Sequence, residues 1–334
     1  MDVKQIKPGT QKRGTTLICS GASLFAGANP VVWTDLDCGT GEAVVLLKVQ
    51  NAPGLAVTQT LQFRRKGDAL TSSKGSLVNA NFGGAVGEIG FVCVPTNSSG
   101  VIQWKGSTLG STEIWLLGYW KALFPDTVVW TGGSLPTTFE ELSLGYPNSI
   151  CILKFASDVA PDFGGVLVSL RQTGEAETPG AGVEYCAMAS TFDAYAAMLT
   201  DSAGNVEWIA SAAFAANTHS VTLVAVISPS TVVPVELWNA LIDTTWVELD
   251  STFPKGFTFM RGYNATGQAN VSFRESGDTL LAEFNAGCAS LVTGVAALVA
   301  YSLVPLSTSG KVEMAKQIGG DFTWELRSLA YCIC

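Results

Sequence analysis

The chain has 334 residues, 47% of them hydrophobic and only 14% charged, with 35 glycines and a formal net charge of −9. That length exceeds one ordinary hydrophobic core and fits two or three. The acidic balance argues against wholesale nucleic-acid binding, and the shortage of charge suggests that a partner covers part of the surface.

The first 17 residues form a basic arm. Lys4, Lys7, Lys12 and Arg13 stand against Asp2, among Pro8, Gly9 and Gly14. The arm is expected to be flexible and to dock on an acidic neighbour. Residues 17–28 follow Lys12-Arg13 and resemble a signal-peptide apolar region, but Ser20, Gly21, Ser23 and Gly27 make them a poor one. Strands are expected over 33–36, 43–49 and 58–63, the last alternating polar and apolar as a half-buried strand does. Further strands are expected over 89–94, 101–104 and 113–120.

The element that ends the 58–63 strand recurs. Phe63-Arg64-Arg65-Lys66-Gly67-Asp68 returns as Leu170-Arg171-Gln172-Thr173-Gly174-Glu175 and as Phe273-Arg274-Glu275-Ser276-Gly277-Asp278. The arginines are 107 and 103 residues apart. Gly100, Gly204 and Gly310 each open a Gly-apolar turn, and nine residues before them stand Phe91, Tyr195 and Tyr301. Trp33 lies 15 residues before Lys48 and Trp246 lies 15 before Arg261, whereas Trp130 lies 24 before Lys154, which implies an insertion around 132–141. Each copy closes on an apolar run, at 114–120, 221–227 and 324–331. These are domain-sized repeats, unlike the shorter units of solenoids.

The expected architecture is therefore all-β: three tandem antiparallel β-sandwich domains, jelly-roll-like, from an internal triplication. The boundaries fall at 1–17 for the arm, then 18–123, 124–230 and 231–334. In the second copy 149–155 and 165–171 are the clearest strands, and in the third 257–260 and 269–274. A short helical turn is expected at 236–242. Residues 288–306 are long enough to span a bilayer, but they occupy the repeat column of 84–96 and 188–200 and read as buried strands, with Gly294 near a bend.

Catalytic motifs are missing. There is no P-loop, no dinucleotide-binding glycine fingerprint and no nucleophile elbow. The single histidine, His219, falls in what reads as an exposed loop, and Glu140-Glu141 are neighbours on the chain only. The eight cysteines occupy no matching columns, so they read as buried apolar residues in a reducing compartment, and Cys332 with Cys334 has no second pair to make a zinc site. Neither metal nor cofactor is expected. The sequons at Asn97, Asn264 and Asn270 carry little weight without a secretory context. Arg64, Arg171 and Arg274, with Gly67, Gly174 and Gly277, read as residues that fix the fold: an Arg at a strand end can bond a carboxylate or a carbonyl and hold a loop, and Gly takes a turn conformation costly for other residues.

The run from 43–49 through Phe63-Arg64 and Gly67-Asp68 to Gly100-Val101-Ile102-Gln103-Trp104 and Ile114-Trp115-Leu116-Leu117-Gly118-Tyr119-Trp120 resembles small β-sandwich modules of bacteriophage virion proteins. The middle copy keeps Asp201-Ser202-Ala203-Gly204-Asn205-Val206-Glu207-Trp208. The resemblance covers nearly the whole chain and implies a non-enzymatic structural protein of the virion, assembled in the host cytoplasm. A capsid cement or decoration protein binding between capsomers is expected, with capsid or other virion proteins as partners, homo-oligomers open, and neither nucleic acid nor membrane involved. A tail or fibre appendage binding host-surface glycan, or a carbohydrate-binding accessory module of an enzyme, are the alternatives.

Overall fold

A computed structural model describes residues 17–51, 58–71, 77–83, 88–157, 166–188, 192–213, 215–242, 244–264, 269–278, 282–293, 298–319 and 323–334. Among the described residues there is no helix, and every regular element is a strand. Repeat 1 supplies β1 (Leu17–Ala28), β2 (Thr34–Asp37), β3 (Val44–Asn51), β4 (Thr58–Arg65), β5 (Leu70–Thr71), β6 (Asn79–Gly83), β7 (Ile89–Pro95), β8 (Val101–Gly106) and β9 (Ser111–Trp120). Repeat 2 supplies β10 (Thr127–Ser134), β11 (Glu140–Ser143), β12 (Ile150–Ser157), β13 (Val166–Gln172), β14 (Thr178–Pro179), β15 (Tyr185–Met188), β16 (Phe192–Leu199), β17 (Asn205–Ala210) and β18 (Ala215–Ile227). Repeat 3 supplies β19 (Thr231–Leu241), β20 (Val247–Asp250), β21 (Gly256–Asn264), β22 (Ala269–Glu275), β23 (Ala282–Gly287), β24 (Ser290–Thr293), β25 (Leu298–Leu306), β26 (Lys311–Gly319) and β27 (Thr323–Ile333).

These strands make six small sheets, two per repeat, arranged as the blades of a six-bladed, propeller-like ring. The larger sheets run β1-β9-β3-β7-β23, β10-β18-β12-β16-β5 and β14-β25-β21-β27-β19; the smaller run β2-β8-β4-β6, β11-β17-β13-β15 and β20-β26-β22-β24. The expectation of three tandem β-sandwich domains is corrected by this arrangement. Each larger sheet takes its fifth strand from another repeat: β5 pairs in parallel with β16, β14 with β25, and β23 with β7. Donation therefore runs from repeat 1 to 2, from 2 to 3 and from 3 back to 1. A row of independent domains would leave its two ends unpaired, whereas this chain closes on itself. The blades are also not sequential meanders, because the strands of a repeat alternate between its two sheets.

Alternation of side chains explains the layering. β9 reads intermediate-buried along its whole length, and β8 and β17 do the same, as period-2 strands with one wet face must. The inward residues of a repeat's two sheets meet: Phe25 on β1 packs edge-on to Trp104 on β8 at 4.8 Å, and Trp130 on β10 to Trp208 on β17 at 4.9 Å. Strands β3, β7 and β12 are apolar at most positions and buried along most of their length. One continuous apolar interior joins all three repeats.

Three local expectations are also corrected. Residues 236–242 do not form a helical turn; nearly all belong to β19, an edge strand whose mixed burial mimics helical patterning. Residues 17–28, already a poor signal-peptide match in the sequence, are β1, hydrogen-bonded to β9. His219 is buried on β18, opposite Ser157 and Gly132, and is not an exposed loop residue. Cys19 and Cys334 are joined in a disulfide, Cα atoms 5.5 Å apart, linking β1 to the end of β27, so the cysteines are not a uniform set of reduced core residues. The other six are buried. The 288–306 stretch resolves into β24 and β25, while the bend expected at Gly294 lies outside the described residues.

Candidate functional site

The recurring residues gather in two kinds of place: the three junctions between repeats and the outer faces of the three smaller sheets. The junctions are built from the Arg-x-x-Gly-acid turn. Its glycine has φ of 101° at Gly67, 85° at Gly174 and 90° at Gly277, in the left-handed region where a Cβ is costly. The turn closes with the same bond each time, from the acid's N–H to the carbonyl three residues earlier: Asp68 to Arg65, Glu175 to Gln172 and Asp278 to Glu275. The turn thereby aims the acid's carboxylate at the next repeat.

At the first junction Asp68 accepts hydrogen bonds from Lys154 Nζ at 3.1 Å and from the Tyr195 hydroxyl. Asp193 accepts one from the Ala69 N–H at 2.7 Å. At the second, Glu175 accepts from Arg261 Nε at 2.6 Å and Nη2 at 3.0 Å, and from the Tyr301 hydroxyl at 3.3 Å. At the third, Asp278 pairs with Lys48, and Phe91 replaces the tyrosine. Three columns noticed separately in the sequence thus converge: the acid after the turn, the base at 48, 154 and 261, and the aromatic at 91, 195 and 301.

Backbone contacts seal two of these junctions. Val183 N–H donates to the Tyr301 carbonyl at 2.9 Å, and Cys288 N–H to the Phe91 carbonyl at 2.6 Å. The preceding residue is glycine in both, and at Gly287 a Cβ would come within 1.6 Å of the Phe91 oxygen. The second junction also buries a carboxyl. Glu184 is fully buried, accepts from the Tyr301 N–H at 3.1 Å through Oε2, and leaves Oε1 without a hydrogen-bond partner. Burial pushes it up to about 8, against the backbone bonds that pull it down. Burial also acts upward on Glu175, but hydrogen bonds from Arg261 and Glu177 and the Arg261 charge outweigh it and hold that carboxyl down to about 2.

On the outer faces each recurring arginine lies between an aromatic ring and a partner on the neighbouring strand. Arg64 sits 4.2 Å over Trp33 and donates twice to Gln103 Oε1, at 2.9 and 2.6 Å. Arg171 sits 3.6 Å over Phe139 and donates to Glu207 at 2.6 Å. Arg274 sits 4.1 Å over Trp246 and donates to Glu313 at 2.6 Å. The aromatic of the middle copy is therefore Phe139, 15 residues before Lys154, like its counterparts. The insertion expected around 132–141 does not exist; Trp130 belongs to β10 and packs inward on Trp208. The arginines bond across strands, while the acid of their own turn serves the next repeat.

Lys4, Lys7, Lys12 and Arg13 lie outside the described residues. Glu140 and Glu141 are exposed on β11, and opposite Glu141 on β17 stands Glu207. Asn264 and Asn270 are buried, and Asn97 Oδ1 accepts the Val101 N–H at 2.9 Å. A cleft of about 180 Å³ opens between Lys255, Phe257, Glu275 and Pro305, smaller than the roughly 300–1,000 Å³ of small-molecule sites. The geometry braces a ring of three repeats. No protein-family model matches the chain, and no curated protein matches it.

Proposed function

We propose that this chain is a non-enzymatic structural protein of a bacteriophage particle, a cement or decoration protein seated between capsomers. The observation that carries the reading is the closed ring of three equivalent repeats, in which donor turn and acceptor strand recur in cyclic order. Such a body presents three similar faces about one axis, and a lattice with local threefold sites offers three similar surfaces to meet them. The low charge of the chain supports the same reading. The basic arm serves as the tether to an acidic lattice.

Co-sedimentation with assembled capsids of the particle that encodes the chain tests this. The full chain should pellet with capsids in saturable amount, and a chain lacking residues 1–17 should bind at least tenfold more weakly. Failure of the full chain to pellet overturns the proposal; equal binding by both forms removes the arm from it.

A further inference from the structure

Repeat 1 breaks the threefold pattern at one tip. Val31 and Val32 precede Trp33 and are 53% and 67% exposed. At the same positions before Phe139 and Trp246 stand Thr137-Thr138 and Thr244-Thr245. Leu109, in the turn from β8 to β9, is 83% exposed, and that turn is tied to the start of the Val31-Val32 loop by the Asn29 N–H bond to the Gly110 carbonyl and the Gly106 N–H bond to the Pro30 carbonyl. Charge departs from the pattern at the same place. Gln103 stands where repeats 2 and 3 have Glu207 and Glu313. Lys105, where the others have Ile209 and Ala315, reaches the Trp33 ring at 5.0 Å, so Trp33 carries two cations, while the nearby Asp35 accepts from Gln103 at 2.9 Å and pairs with Lys66.

The complement of this tip is present in the same molecule. Residues 18–123 hold seven Lys and Arg against six Asp and Glu, whereas residues 124–230 hold two against eleven. On the face of repeat 2 equivalent to the Trp33 face, the exposed Glu141 stands opposite Glu207, which accepts a hydrogen bond from Arg171. We infer that copies of this chain associate head to tail, the Val31-Val32-Leu109 tip and Lys105 of one copy docking on the Glu141-Glu207 face of repeat 2 in the next. Such a contact is heterologous: it joins two different surfaces and propagates to a closed ring or a chain of copies. The apolar tip supplies the desolvated centre and the charges set orientation. This inference does not rest on the particle reading, and either can fail alone.

Sedimentation velocity of the full chain tests it, at about 50 mM and about 500 mM salt, where screening differs strongly. The wild type should gain mass with concentration at low salt and lose it at high salt. A V31T/V32T/L109T variant, which installs the threonines of the other repeats, should associate at least tenfold more weakly. K105E and E141K should each associate poorly alone and regain association when mixed, since one supplies an acidic tip and the other a basic receptor. A wild type that stays monomeric throughout, a triple variant that associates as well as wild type, or a mixture that stays dissociated overturns the inference.

Discussion

Glu184 and Glu175 lie on the same junction and titrate in opposite directions. Glu184 is raised from 4.5 to about 8. Between those values the folded chain holds a proton that the unfolded chain has lost, so stability falls as pH rises through that window, by at most about 1.4 kcal/mol per pH unit. Glu184→Gln keeps the acceptor for the Tyr301 N–H and removes the titration. It should flatten the decline, leaving the variant more stable than wild type at pH 8 and close to it at pH 5 in urea melts. Glu175 is lowered to about 2. Its contribution is present above about 4.5 and is lost as pH falls toward 2, so Glu175→Gln should destabilise at pH 7 and converge with wild type near pH 2. An unchanged pH slope in Glu184→Gln would mean that this carboxyl is not held neutral. Neither effect was legible in the sequence. Glu184 occupies no acidic column, and its burial depends on β25 of another repeat, more than a hundred residues away.

At the scale of the strand, the outer stacks divide into two strengths. All three arginines stack on an aromatic ring, but Arg171 and Arg274 each pair with a glutamate as ions, while Arg64 bonds a neutral amide. Replacing Arg171 or Arg274 by Ala should cost about 1–3 kcal/mol, and Arg64→Ala about 1 kcal/mol, read as shifts in urea midpoint. Equal losses at all three would assign the stabilisation to the ring contact alone. The arginine column was visible because Gly and an acid follow it at fixed spacing, and most central strands were visible from their alternation. The aromatic column was missed in the middle copy because Trp130 is the more conspicuous residue; the constant spacing of 15 to the basic column picks out Phe139. Strand β1 was obscured for a physical reason. An edge strand with a half-exposed pattern and no charge has neither the alternation nor the charge of a surface strand.

Across the whole molecule, the ring follows from a rule applied three times: each repeat gives a turn and a short strand forward and receives one from behind. The sequence carried the columns of this rule, and it did not carry their direction, because a donated strand and a retained one have the same composition. The Cys19–Cys334 bond lies at the seam where repeat 3 meets repeat 1, beside the packing of Trp120 on Phe257 at 5.2 Å. It spans 315 residues of sequence and ties the two ends of the ring together, so an open, unfolded chain is the state it restricts most. The direction of donation makes one prediction that separates a ring from a row of domains. A fragment of residues 124–230 keeps Glu175 and β14 as donors and keeps Lys154, Tyr195 and β16 as acceptors, but a single copy cannot join its own two ends. Its donor turn matches the acceptor strand of another copy, since the Glu175 contact with Arg261 and the Asp68 contact with Lys154 are the same contact in different repeats. The fragment should therefore be unfolded when dilute and gain strand signal together with trimer mass as concentration rises, measured by circular dichroism and sedimentation equilibrium. A fragment that folds as a monomer at micromolar concentration would show that each repeat needs no neighbour, and the exchanged strands would then be ornaments on three self-sufficient units.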